Sequence, residues 1–134
     1  MVIDTAPHSN SAAAIVAQLA DFIVMPCRPA LFDLDAIAST VEIVTSAETP
    51  AAVILNAAPR GKLTDEARTA LEGQGITVLP SVIYQRAAYS HAVIDGRAVH
   101  EYEPNGRAAE EIARLYGNIT RKLGIHTRKR KAVA

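Results

Sequence analysis

Phe22-Ile23-Val24-Met25-Pro26 is apolar at every position and closes on a proline. A strand with one wet face would alternate apolar and polar residues. An unbroken apolar run of this length reads instead as a strand covered on both faces, which is what parallel sheets contain. Downstream, Ala51-Ala52-Val53-Ile54-Leu55-Asn56 has the same character. Ile76-Thr77-Val78-Leu79-Pro80 follows, and Val82-Ile83-Tyr84 extends that strand after a break. Upstream, Met1-Val2-Ile3-Asp4-Thr5-Ala6-Pro7-His8 reads as a short central strand that delivers a carboxylate and a hydroxyl before a proline stops it.

The segments between these runs have helical spacing. Ala12, Ile15, Val16 and Leu19 form one stripe, with capping side chains in His8-Ser9-Asn10-Ser11. Leu31, Leu34, Ile37, Ala38, Val41 and Val44 form a second, behind Asp33 and Asp35 at the positive helix end. A third helix is expected to be capped by Thr64, to carry Ala67, Ala70 and Leu71 inward, and to end at Gly73 and Gly75. Gln85 to His91 reads as a short helix or turn, and Asp95-Gly96-Arg97 as a turn. Ala108, Ile112, Leu115, Ile119 and Leu123 mark the last helix, opened by Pro104-Asn105-Gly106 and ended by Gly124.

Strands alternating with helices of roughly ten to fifteen residues predict βαβ units. The expected fold is α/β: a mostly parallel sheet with flanking helices, a Rossmann-like three-layer domain over residues 1–124, then a basic tail over 125–134. Right-handed crossovers set the direction of travel, and ligands bind beyond the carboxyl ends of the strands. Asp4-Thr5, Pro26-Cys27-Arg28, Asn56 and Pro80-Ser81 are therefore expected to share one edge.

The chain of 134 residues is long enough for one domain with a true core. It is rich in Ala, Val and Ile, with two Phe, four Tyr and no Trp, which suits helices laid closely on a sheet. Cys27 is the only cysteine, so no internal disulfide forms; it reads as a small buried residue in a reducing compartment. No signal-peptide pattern is visible, and the longest apolar runs are far too short to span a bilayer, so a cytoplasmic setting is expected. Net charge is zero, yet Arg121, Lys122, Arg128, Lys129, Arg130 and Lys131 all lie after residue 120, where there is no acid. Residues 1–120 carry 8 basic and 14 acidic side chains, a formal charge of −6. An acidic body with a basic tail points to a polyanion contact at the tail.

Several pieces, in order and at these spacings, resemble the partition ATPases of the ParA family within the ParA/MinD group of deviant P-loop proteins. They are Val2-Ile3-Asp4-Thr5-Ala6-Pro7, Ala20-Asp21-Phe22-Ile23-Val24-Met25-Pro26 and Asn56. They continue with Gln85-Arg86-Ala87-Ala88-Tyr89-Ser90-His91-Ala92, Gly96-Arg97-Ala98-Val99, Ala108-Ala109-Glu110-Glu111-Ile112 and Leu115. The resemblance implies a P-loop NTPase-like fold, ATP and Mg²⁺ as cofactors, and a role in plasmid or chromosome partitioning. It places Asp4 as the switch carboxylate that orders a magnesium-bound water, and Thr5 and Pro7 in the loop that senses the γ-phosphate. Asn56 would read adenine, as its amide both donates and accepts, and Pro80-Ser81 would flank the base. Arg86 matches a basic position of the family whose service to DNA, the dimer or the fold stays open; it is set with Lys122, Arg128, Lys129, Arg130 and Lys131 as an expected DNA contact. Implied partners are non-specific DNA, a centromere-binding partition protein, and a second copy or full-length relative as dimer; no membrane is involved.

The chain departs from that pattern. No G-x-x-x-x-G-K-[ST] loop occurs in it, and His8 stands where the family usually has glycine. The family's phosphate loop lies before the strand of Asp4, so the opening is expected to be a cut inside a longer protein. The isolated chain is then expected not to hydrolyse ATP and to bind nucleotide weakly or not at all, since positioning and electrostatics supply nearly all of phosphoryl-transfer catalysis. The alternative is a non-catalytic module that pairs with a full-length relative, or with DNA through its tail. A septum-site or cofactor-biosynthesis member of the same group is a third option. The four histidines lack metal-ligand spacing, no G-x-S-x-G elbow is present, and Asn118-Ile119-Thr120 falls in a helix.

Overall fold

The structure, a computed structural model, describes residues 1–5 and 10–125. Three strands, β1 (Ile23–Cys27), β2 (Ala51–Ala58) and β3 (Val78–Tyr84), form a sheet in the order β1-β2-β3 with both pairs parallel. The helices are α1 (Asn10–Leu19), α2 (Leu31–Ser46), α3 (Lys62–Gly73), α4 (Ala87–Ile94), α5 (Val99–Tyr102) and α6 (Arg107–Lys122).

The central strand shows why the fold is layered. Along β2, Val53 and Leu55 are fully buried, and so are Ala52 and Ile54, whose side chains point the opposite way. Val53 and Leu55 join Met25, Cys27, Ile37, Val44, Ala67 and Leu71, the layer under α2 and α3. Ala52 and Ile54 join Leu79 and Ile83, covered by Ile112, Leu115 and Ile119 of α6. Burying a side chain such as Leu55 contributes about 1.5–3 kcal/mol. Sheet, helices on both faces and parallel register are therefore those expected of a Rossmann-like, P-loop NTPase-like α/β domain.

The two edges of the sheet differ. On β3, the Tyr84 amide donates to Glu111 Oε2 at 3.2 Å and the Leu79 carbonyl accepts from Arg68 Nη1 at 3.0 Å, while Pro80 has no amide to offer. On β1, Ile23 donates to the Pro50 carbonyl on the β2 side, so alternation turns Val24 and Pro26 outward. Proline suits that outward position because no ladder amide is required there. Among the described residues no strand pairs with this outer edge.

Several expectations are corrected. Residues 1–5 form no strand; Val2 and Met1 are fully exposed and Ile3 largely so. A strand exists only by pairing, and no ladder accepts this segment, so its apolar character alone does not fold it. Pro80 and Ser81 do not end a strand but lie inside β3. The register jumps from Val53↔Val78 to Leu55↔Val82, so a bulge absorbs the proline and the strand continues. Asn56 lies two residues before the end of β2. In α1 the buried residue is Ala17, with Ile15 and Leu19 exposed; Leu31, Ala38 and Ala70 likewise face outward. Thr64 does not cap α3, because its hydroxyl donates to the Pro59 carbonyl at 2.6 Å and Gly61 occupies the cap position. The short helix α5 was not anticipated. The expected capping run around His8 lies outside the described residues, except Asn10 and Ser11 at the start of α1.

Candidate functional site

At the carboxyl ends of β2 and β3 the chain builds a cleft of about 390 Å³, lined by Arg60, Tyr84, Arg86, Arg107, Glu110, Glu111 and Arg114. Each element has a local reason to deliver its residue. Arg60 sits in the β2–α3 turn, where Gly61 adopts φ 106°, a conformation that side-chain-bearing residues avoid. Tyr84 is the last residue of β3, and Arg86 is the N-cap of α4. Positions 107, 110, 111 and 114 have the helical i, i+3, i+4, i+7 spacing, which puts them on one face of α6 beside its apolar stripe.

The cleft is organised around Glu111, which is 5% exposed. Its Oε1 accepts from Arg86 Nε at 2.8 Å and Nη2 at 2.5 Å. Its Oε2 accepts from the Tyr89 hydroxyl at 3.1 Å and the Tyr84 amide at 3.2 Å. One carboxylate thus ties β3, α4 and α6 together with its lone pairs satisfied. The Tyr84 ring faces two guanidinium groups, Arg60 at 5.6 Å and Arg86 at 5.9 Å. Arg114 pairs with Glu110 at 3.4 Å on the exposed surface.

Charge does not balance here. Four guanidinium groups face two carboxylates, and among the described residues Arg60 and Arg107 form no ion pair. Arg107 is also the first residue of α6, at the positive end of the helix dipole, where a cation is unfavourable. An anion in the cleft would relieve both conflicts. A second groove continues along α6 past Pro80, Ser81, Val82, Gly117 and Asn118 to Arg121. Arg107, Arg114 and Arg121 repeat every seven residues, about 10.5 Å apart along the helix. The chemistry offered is a track for a linear polyanion.

Burial, then the neighbouring Glu111 carboxylate and its hydrogen bond, push the Tyr89 phenol well above its ordinary value of 10.0. A raised folded value means the native state keeps its proton where the unfolded chain releases it. The stabilisation is complete below pH 10 and is lost as pH rises beyond that. Melting temperature is therefore expected to fall above about pH 10, and the fall attributable to this group should vanish in Tyr89→Phe. An identical alkaline decline in the variant would contradict the assignment.

Of the strand ends expected at one edge, those of β1 and β2 do meet, since Cys27 ends β1 opposite Leu55, beside Asn56. Asp4 and Thr5 are exposed and outside the sheet. Asn56 is half-buried on β2, and the following Ala57 has φ 47° where the register slips again between Leu55 and Ala58. A left-handed alanine costs about 1–2 kcal/mol. Ala57→Gly is expected to raise stability by about 0.5–1 kcal/mol, after glycine's own entropy cost, measured as a higher urea midpoint; a lower midpoint would show the bulge is unstrained. Ser81 is buried and its hydroxyl is bonded by the Asn118 amide, while Pro80 is exposed. Arg86 lines the cleft, and Lys122 ends α6. Pro7, Arg128, Lys129, Arg130 and Lys131 lie outside the described residues. Arg60, Tyr84, Arg107, Glu111 and Arg114 were missed, although the polar spacing 107, 110, 111, 114 was available.

These donors do not form a cradle for a magnesium–nucleotide. Its expected carboxylate, Asp4, is held by no element, and Ser81 is already spent on α6.

Fold and cleft together define a parallel-sheet α/β domain of the P-loop NTPase-like kind, with a basic groove at its strand ends. No family model matches the chain. It is 34% identical over 129 residues to "Maintenance of carboxysome distribution protein A" of Halothiobacillus neapolitanus, covering 89% of this chain and 59% of the relative. It is 30% identical over 134 residues to the protein of the same name from Gloeobacter kilaueensis, covering 96% of this chain and 61% of the relative. The chain thus spans about three-fifths of the length of the curated relatives it matches. The names of these relatives concern carboxysome distribution, so a plasmid- or chromosome-specific role does not follow from them. Among the described residues no helix is long and apolar enough to cross a membrane.

Proposed function

We propose that this chain is the polyanion-gripping part of a ParA-like positioning protein, which holds nucleic acid non-specifically while distributing a cellular cargo. The names of its relatives make carboxysomes the first cargo to examine, ahead of plasmids or chromosomes. ATP and Mg²⁺ belong to the intact protein, with Asp4, Thr5, Pro7 and Asn56 as the residues this chain would contribute. A cargo-borne protein would take the place of the centromere-binding partner, and a second copy would complete a dimer.

The observation that carries this reading is the cleft in which, among the described residues, Arg60 and Arg107 form no ion pair, Arg107 standing at the positive start of α6. Lys and Arg contacts to phosphates give binding that is indifferent to sequence and falls steeply with salt. Lys122, the last residue of α6, adds a further cation at that end of the helix. The test is fluorescence anisotropy with duplexes of unrelated sequence. Equal affinities that fall together as salt rises are expected; strong preference for one sequence, or no binding, would refute it.

A second role, pairing with a full-length relative, would use the outer edge of β1, where Val24 offers its amide and Pro26 has none to offer. Unpaired strand edges invite such additions.

A further inference from the structure

Arg86 is set apart from the other cations of the cleft by its bond to a buried carboxylate. Its Nε and Nη2 both donate to Glu111, its side chain is 19% exposed, and it lies against Tyr84. The same contacts raise its already high pKa, chiefly through the Glu111 hydrogen bond. Arg114 is bound more loosely, at 3.4 Å to a carboxylate that is itself exposed, so a phosphate can compete for it. Arg60 and Arg107 have no such anion among the described residues.

We propose that Glu111 is a positioning residue that withholds the charge of Arg86 from any polyanion in the cleft, leaving phosphate contact to Arg60, Arg107 and Arg114. Because the same carboxylate also accepts from the Tyr84 amide, it cannot turn away from Arg86 without stranding that donor; the Tyr89 hydroxyl is shared with the Ala108 carbonyl at 3.1 Å. Arg86 then acts as a strut: it fixes Tyr84 and the start of α4, and Tyr84 in turn seats Arg60. This deepens the proposed function and rests on the cleft being its nucleic-acid contact.

The experiment begins with the unaltered chain. Arginine Nε–H resonances are followed by NMR as a non-specific DNA duplex is added. Those of Arg60, Arg107 and Arg114 are expected to shift and that of Arg86 to stay in place; an Arg86 resonance moving with the others overturns the inference. Salt titrations of duplex affinity then supply a readout that a purely structural role would not move. Each phosphate contact contributes a slope of about 0.9 in log affinity against log salt. Arg86→Gln should leave the slope unchanged, whereas a loss of about 0.9 would show Arg86 already meets phosphate. Glu111→Gln, in a preparation shown to be folded by circular dichroism, should steepen the slope by about 0.9; an unchanged slope contradicts the withholding. If substituting Arg60, Arg107 and Arg114 leaves duplex binding intact, it is the cleft reading that fails rather than the role of Glu111.

Discussion

Glu111→Ala is expected to remove about 3–5 kcal/mol of stability, the cost of leaving a buried charge without its partner. Arg86 would keep its partly buried guanidinium with no counter-charge and the Tyr84 amide would lose its acceptor, while the Tyr89 hydroxyl keeps the Ala108 carbonyl at 3.1 Å. The abandoned amide adds about 1–3 kcal/mol unless water reaches it. A domain of this size has about 5–15 kcal/mol in total, so the variant should lose a large share of its stability. Urea unfolding followed by circular dichroism measures this. A loss below about 1 kcal/mol, the range of an exposed ion pair, would show that Glu111 is not the tie between β3, α4 and α6.

The second large effect concerns binding. Replacing Arg60, Arg107 and Arg114 together by alanine should lower the salt slope of duplex affinity by about 2.7, at about 0.9 per contact. Over a fourfold rise in salt, those three contacts account for roughly a 40-fold change in affinity, and that part should disappear. Stability should change little, because Arg60 and Arg107 hold no ion pair among the described residues and the Arg114–Glu110 pair is exposed. A variant that binds and responds to salt like the unaltered chain would place the contact elsewhere, with the tail the next candidate.

The layers of the fold were legible because β1 and β2 are short runs apolar on both faces, a local signal with one common outcome. The same signal misled at Met1-Val2-Ile3. Apolar residues propose a strand, but only a neighbouring ladder makes one, and the outer edge of β1 pairs with no described strand. Pro80 looked like a stop because its missing amide breaks a ladder; the bulge and the Arg68 bond to Leu79 let β3 run through it. The basic residues were read as a tail because clustering in sequence is visible. The cleft gathers Arg60, Arg86, Arg107 and Arg114 from three separate stretches, and only the parallel topology brings them together. Glu111 was the least legible, since its burial depends on an arginine 25 positions earlier.

The most direct test of the central claim is the affinity of the unaltered chain for an arbitrary duplex, measured by anisotropy across a salt series alongside the triple arginine variant. Affinity of the unaltered chain falling steeply with salt, and a slope shallower by about 2.7 in the variant, is the predicted result. Superimposable salt curves for the two proteins would contradict it.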